Sequence, residues 1–433
     1  MNMKLKKIYS ILFVLFISLF GCCCYINNIQ HQLNKRKLQA ENAQNLVNNN
    51  RDWKKEFPLD QQQDKRASFS LGGELRNNLK YFIDIIDGCL KIHAPLRMTF
   101  VEIGHKLGEM FSSKTLFDGQ SVVRFSNGYL GYIIKEKHSY HEEGLRAVNF
   151  GQYVESLGIK FCFILCPSKF SKFKDDFPKG LVNSTNNNAD TFMDILYKNN
   201  IKALDLRENL HKDFPNHFDA FFKTDHHWKP ETGLWATQQI TKWMNNRLAA
   251  NLDESVISPD RFNYKVYPKI FLGSQGKKLS LSLTEPEDFT VITPKYETDF
   301  EFEIYCRGIK KSGPFETALL DSSNLSRDYY NITTYNTYLG FDDPVVRITN
   351  KKTDSKTRIL LIKDSYAMVV APFLALEAKE VYLVDVRKDQ IKYFDGSLKK
   401  LIKHLKPDIA ACLYNVSNFS PVNPTEKDIL AFQ

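Results

Sequence analysis

The chain is short of the residues that build repetitive or very small folds. Its 433 residues include only 20 glycines and 16 prolines, too few for a collagen-like or low-complexity polymer. No period of about 20–50 residues recurs, which argues against a solenoid. No Cys-x-x-Cys pair occurs, so zinc-ribbon and thioredoxin-type sites are excluded. A basic face for nucleic acid is missing too. The net charge is +9, but more than half of it sits in the first 75 residues and the body is near neutral. A hydrophobic content of 43% with 25% charged residues is that of a globular protein, and the length suits two or three domains or one large domain with insertions.

The eight cysteines divide into two kinds. Cys22, Cys23 and Cys24 close an apolar N-terminal run, while Cys89, Cys162, Cys166, Cys306 and Cys412 are scattered. Cys162 and Cys166 lie in a continuous apolar stretch and read as small core residues of a buried strand.

Lys4, Lys6 and Lys7 precede the apolar run, which extends over 19 residues from Ile8 through Ile26. That length just crosses a bilayer as a helix, and the pattern also suits a signal peptide. Leu19-Phe20-Gly21-Cys22 resembles a lipobox with Cys22 as the lipidated residue. A cleaved signal, a lipoprotein and an uncleaved anchor all remain open, and each puts the body outside the cytoplasm. Residues 27–75, rich in Gln, Asn and Lys, read as a polar stalk between residues 1–26 and a body spanning 76–433.

Apolar spacing predicts helices over about 76–111 and from His138 to Leu157, with a strand-like stretch at 115–135 between them. From residue 159 the pattern becomes strand, helix, strand. Strands are expected at 159–167, 201–206, 358–364, 381–386 and 408–415, with helices at about 190–199, 366–378 and 390–404. The continuous apolar strands imply a parallel sheet covered on both faces, hence an α/β three-layer domain. Residues at about 255–350 break the rhythm and read as a strand-containing insertion. Ligands of open parallel sheets bind beyond the strands' carboxyl ends. That rule selects Pro167-Ser168-Lys169, Asp364-Ser365-Tyr366, Arg387 and Tyr414-Asn415.

The densest polar cluster is Asp225, His226, His227 and Trp228, just ahead of Pro230, a good first residue of a helix. Asp225 and His227 are close enough on a loop for the carboxylate to hold the imidazole. Ser365 follows a buried strand and opens a helix, where its hydroxyl is accessible and the first amides face a developing oxyanion. Nucleophile, base and orienting acid are thereby supplied by Ser365, His227 and Asp225. Other readings stay open here: Ser365 also suits a helix N-cap, His226 is a second candidate base, and the Asp225–His226–His227 run with His211 and His217 nearby admits a metal. Trp228 fits packing as well as function.

These segments resemble a known group. Residues 223–236, with their D-x-H-W core, resemble the signature of the bacterial DHHW family, which is similar to SGNH-like proteins that O-acetylate alginate and other exported polysaccharides. Residues 360–374, 381–387 and 412–415 are similar to the same group, and 87–97 loosely so. The resemblance implies an SGNH-hydrolase-like fold, with Ser365 as nucleophile, His227 as base and Asp225 as orienting acid. Here Lys363-Asp364-Ser365 stands where alginate-type relatives carry Gly-x-Ser. Oxyanion-hole and substrate candidates are the Ser365 amide, Asn415, Tyr414, Arg387, Trp228, His226 and Tyr366.

The expected activity is extracytoplasmic O-acyl transfer, most simply of acetyl, to hydroxyls of an exported polysaccharide. No cofactor and no metal is expected. Acetyl-CoA is absent outside the cell, so a membrane donor protein is expected, and the resemblance implies a membrane-bound O-acyltransferase in that role. The alternatives are a carbohydrate esterase with the same triad and a non-catalytic glycan-binding surface protein.

Overall fold

A computed structural model describes residues 116–117, 122–125, 127–132, 137–173, 182–279, 281, 284–386 and 397–419. The apolar N-terminal run, the polar stalk and the helices expected at 76–111 lie outside the described residues, as does Arg387. Elements are numbered within the described residues.

A small antiparallel sheet comes first: β1 (Leu116–Phe117), β2 (Val122–Arg124) and β3 (Leu130–Tyr132). Helix α1 (His141–Ser156) then leads into β4 (Lys160–Cys166), α2 (Thr185–Lys198), β5 (Ala203–Asp205), α3 (Leu206–Asp213) and α4 (Pro230–Leu248). Pro230 opens α4, where its missing N–H costs nothing. The irregular segment follows, with β6 (Phe262–Phe271), α5 (Ser274–Leu279), β7 (Glu287–Pro294), β8 (Phe300–Ile304), β9 (Ile309–Gly313), α6 (Phe315–Ala318) and β10 (Val345–Asn350). The chain closes through β11 (Arg358–Lys363), α7 (Ala371–Glu377), β12 (Glu380–Val384), α8 (Leu398–Leu405) and β13 (Ile409–Asn415).

Eight strands form the main sheet in the order β5-β4-β13-β11-β12-β10-β8-β9. The first five run parallel and the last three antiparallel. The parallel half accounts for the continuous apolar runs. Along β4, Cys162, Ile164 and Cys166 enter one core while Phe161, Phe163 and Leu165 enter the other. The same alternation divides Ile359 and Leu361 from Leu360 and Ile362 on β11. A strand with two buried faces has no polar face to show. Burial also raises the thiol pKa of Cys162 to about 12 and that of Cys166 well above its ordinary value. These are core residues rather than reactive thiols.

The segment at 255–350 divides its strands between two places. β6 and β7 pair as a separate antiparallel ribbon, whereas β8, β9 and β10 extend the main sheet past β12. Helix α5 lies between the two ribbon strands in sequence, and its start packs on the loop that carries Asp225. No described helix is long and apolar enough to cross a membrane.

Candidate active site

The site is assembled from the carboxyl end of β11, the loop before α4 and the start of α5. β11 ends at Lys363, and Asp364 turns the chain into a 3-10 turn, Ser365–Val369. The Asp364 carboxylate accepts from the Tyr366 amide (2.8 Å) and the Asn415 amide (2.6 Å), and also from the Asn418 side chain. One buried carboxylate therefore caps the turn and fixes it to the end of β13. Ser365 is the first residue of that turn, so its amide has no partner within it. Its side chain remains partly exposed.

The loop before α4 brings the other two groups. His227 Nε2 lies 2.7 Å from Ser365 Oγ, and His227 Nδ1 lies 2.5 Å from Asp225 Oδ1. The same carboxylate oxygen accepts from the His227 amide at 3.0 Å, and Oδ2 accepts from the Ser274 amide at 2.5 Å. Asp225 is 4% exposed and His227 9%. Burial would push the Asp225 carboxyl up. The imidazoles of His226 and His227 and the donors on its oxygens outweigh this and hold it well below the usual carboxylate range. An ionised carboxylate only accepts. The proton of a neutral His227 therefore sits on Nδ1, leaving Nε2 to accept from Ser365.

Two aromatic residues brace this arrangement. Trp228 is fully buried and donates from its indole to the Tyr366 carbonyl (3.2 Å), while the Tyr366 hydroxyl donates to the His226 carbonyl (2.5 Å). These crossed bonds tie the histidine loop to the serine turn, so Trp228 and Tyr366 act as struts. Tyr335 stacks on His227 with ring centroids 4.1 Å apart and planes inclined by 18°.

The remaining candidates fall as follows. His226 is half-buried beside Ser274 Oγ (3.3 Å), with its ring 3.8 Å from that of His227, and it does not reach Ser365 in any described contact. Asn415 lies at the strand end that the topology rule selects, but its side chain is spent on the scaffold. Nδ2 donates to the Pro167 carbonyl (2.7 Å), and Oδ1 accepts from the Ser417 amide (2.8 Å). A side chain locked between β4 and β13 is not a spare oxyanion donor. Tyr414 packs in the core between the sheet and α1, α2 and α8, with its ring 6.0 Å from Phe163. His217 Nε2 donates to the Ser168 carbonyl at 2.7 Å, and His211 stacks on Phe173, both apart from the triad.

Asp225, His226 and His227 have ligating atoms within 4.8 Å of one another. Both nitrogens of His227 and both oxygens of Asp225 already have hydrogen-bond partners. A metal ion taking those atoms would break the contact to Ser365 or to Asp225.

Four contributors carried no local sequence signal as parts of a site. Ser274 holds Asp225 through its amide. Gly273 permits the approach, since a Cβ there would meet the Thr224 carbonyl oxygen at 2.5 Å and Asp225 Cα at 2.6 Å. Tyr335 supplies the stacked ring. Gln275 accepts from buried Lys169. Lys169 itself stands where the strand-end rule pointed, directly after β4.

Residues 136–260 match the family described as SGNH hydrolase-like domain, acetyltransferase AlgX. No curated protein matches the chain. Among solved structures, PatB1 of Bacillus cereus superposes with a TM-score of 0.60 at 20% identity, covering 72% of this chain and 99% of that one. Its sulfonyl adduct gives 0.59 at 20% identity, covering 72% and 98%. A DHHW family protein from Eubacterium siraeum gives 0.53 at 15% identity, covering 71% and 93%. The fold is SGNH hydrolase-like. The resemblance drawn from the D-x-H-W and K-D-S-Y segments therefore holds at the level of family likeness and of fold. At the coarse level the likeness is to an acetyltransferase domain. The matched segment contains Asp225 and His227 and stops well short of Ser365.

Proposed function

We propose that this protein is an extracytoplasmic SGNH-like O-acyltransferase that passes an acyl group, in the simplest case acetyl, through a Ser365 ester to hydroxyls of an exported or cell-surface polysaccharide. The observation that carries this reading is the continuous relay from Ser365 Oγ to His227 Nε2 (2.7 Å) and from His227 Nδ1 to Asp225 (2.5 Å). A serine hydroxyl is a weak nucleophile until a base takes its proton, and a base needs its tautomer fixed. Both conditions are met by side chains buried on the protein side and open at Ser365.

In the first half-reaction His227 takes the Ser365 proton as Oγ bonds to the donor's acyl carbon. The tetrahedral oxyanion is stabilised by amide donors at the turn, the Ser365 N–H first among them. Collapse breaks the bond to the donor's leaving oxygen, which receives the proton from His227. In the second half, His227 deprotonates a sugar hydroxyl. That oxygen bonds to the acyl carbon and Ser365 is released with its proton. Asp225 stays ionised and steadies the imidazolium in both halves.

The donor fits a membrane-bound O-acyltransferase, with residues 1–26 as export signal or anchor and 27–75 as the spacer. The test is incubation of the purified protein with an acyl ester donor, with and without oligosaccharide. Acyl sugar should form, and Ser365→Ala should lower its rate at least ~1,000-fold. Hydrolysis indifferent to added sugar would make the protein an esterase with the same relay. Full activity of Ser365→Ala would end the serine reading.

A further inference from the structure

We propose that Lys169 is a positioning residue whose buried ammonium clamps the two segments holding Asp225 and sets the proton affinity of the Asp225–His227 pair. This rests on the serine relay proposed above. Lys169 is 3% exposed, directly beyond the end of β4. Its Nζ donates to the Lys223 carbonyl (3.1 Å) and to Gln275 Oε1 (2.9 Å).

Those two acceptors are not equivalent pieces of scaffold. Lys223 lies two residues before Asp225. Gln275 directly follows Ser274, whose amide donates to Asp225 Oδ2. One ammonium thus bridges both chain segments that meet at the carboxylate. The same junction is gripped from the other side by Glu287, at the start of β7. It accepts from the Lys223 amide (2.6 Å), the Thr224 amide (2.7 Å) and the Thr224 hydroxyl (2.6 Å).

A buried charge is retained only against a large desolvation penalty. Burial is the largest influence on Lys169 and brings its pKa down to about 7, opposed by the carboxylates of Asp225 and Glu287. Other groups around it include the Tyr129 ring, 6.0 Å from Nζ, the Lys223 ammonium, 5.7 Å from the same ring, and His217 on the neighbouring Ser168 carbonyl. The other groups acting on the pair are His226, Tyr335, Tyr366 and Lys277. Below pH 7 Lys169 carries its charge. A cation behind the carboxylate disfavours imidazolium. Without it, Asp225 and Glu287 are left with less compensation, and His227 should hold its proton more tightly.

The experiment is NMR titration of His227 in the full-length protein, assigned by loss of its signal in His227→Gln, together with the pH profile of acyl-ester hydrolysis. In Lys169→Met the His227 midpoint and the acid limb should both move up by about one pH unit. Lys169→Arg, which keeps the charge, should restore most of that shift. If Lys169→Met does not fold, Lys169→Gln removes the charge while keeping an amide donor, and the same shift is expected. A midpoint unchanged in the uncharged variants overturns the proposal, even if the rate falls, because a merely structural prop would lower rate without moving the titration. Failure of the serine reading is distinguishable. Ser365→Ala would then keep full activity, while the His227 shift in Lys169→Met would still support the lysine's hold on the pair.

Discussion

The imidazole of His227 lies face to face with the ring of Tyr335, 4.1 Å away and 18° from parallel. Tyr335 comes from the irregular segment between β9 and β10, more than 100 residues along the chain from its partner. An aromatic face attracts a cation, and in the proposed reaction His227 becomes cationic as it takes the serine proton. On the proposed mechanism the contact would therefore stabilise the transition state more than the resting protein. Tyr335→Leu should lower kcat about tenfold, since a desolvated cation–π contact is worth roughly 1–2 kcal/mol. Tyr335→Phe keeps the ring and should retain most of the rate. Steady-state kinetics on an acyl ester checks both. Equal losses in the two variants would assign the effect to the hydroxyl instead.

Asp225 makes a prediction about pH. Its carboxyl is held well below the usual range by His226, His227 and the Ser274 amide, against the pull of burial. It is therefore ionised wherever the enzyme works, and the acid limb of the rate profile should be one step of unit slope. Asp225→Asn should lose about 1,000- to 10,000-fold in kcat, because the amide favours the wrong imidazole tautomer. The stability sign follows from the depressed value. The carboxylate's contribution is fully present above the unfolded-state pKa, near 3.8, and is lost as pH falls through the folded value. The carboxylate's own share of the stability difference between wild type and Asp225→Asn should begin to fall only on acidification below about pH 5. Chemical denaturation at several pH values measures it.

Gly273 tests whether the start of α5 is part of the machinery. An added Cβ would meet the Thr224 carbonyl and the Asp225 backbone at 2.5 and 2.6 Å, contacts with backbone that cannot swing aside. Gly273→Ala should therefore push Ser274 off Asp225. The expected cost is about 1–3 kcal/mol of stability from overpacking and roughly a 100-fold loss in kcat from a misplaced acid. A variant with wild-type kinetics would show that Asp225 needs no help from α5.

Much of this was readable in the residues. The apolar strands at 159–167, 358–364 and 408–415 announced a two-sided parallel sheet, because side chains buried on both faces leave no alternation to misread. Asp225, His227 and Ser365, which the structure brings within hydrogen-bond reach of one another, could be picked out because a polar run ahead of a helix and a residue at a strand end are where a sheet exposes chemistry. Asn415 shows the limit of the same rule. It occupies the right strand end, yet its amide closes the gap to Pro167, a choice that depends on where neighbouring backbone leaves an unpaired carbonyl. Tyr335, Gly273 and Gln275 were hidden for a related reason. They come from a stretch with little periodicity, and their role exists only after β8–β10 have joined the sheet and α5 has packed on the histidine loop. Lys169 was in view, but a lone lysine in sequence does not reveal that it will be buried against the Lys223 carbonyl and the Gln275 side chain.

The serine and its base are 138 residues apart in the chain, and β11 lies between β13 and β12, two strands that both follow it in sequence. Until the histidine loop has packed on the serine turn, the hydroxyl at 365 is an ordinary alcohol with nothing to take its proton. On the proposed mechanism an incompletely folded chain is chemically silent, and acylation of this serine by a reactive ester should report that both segments of the relay have met.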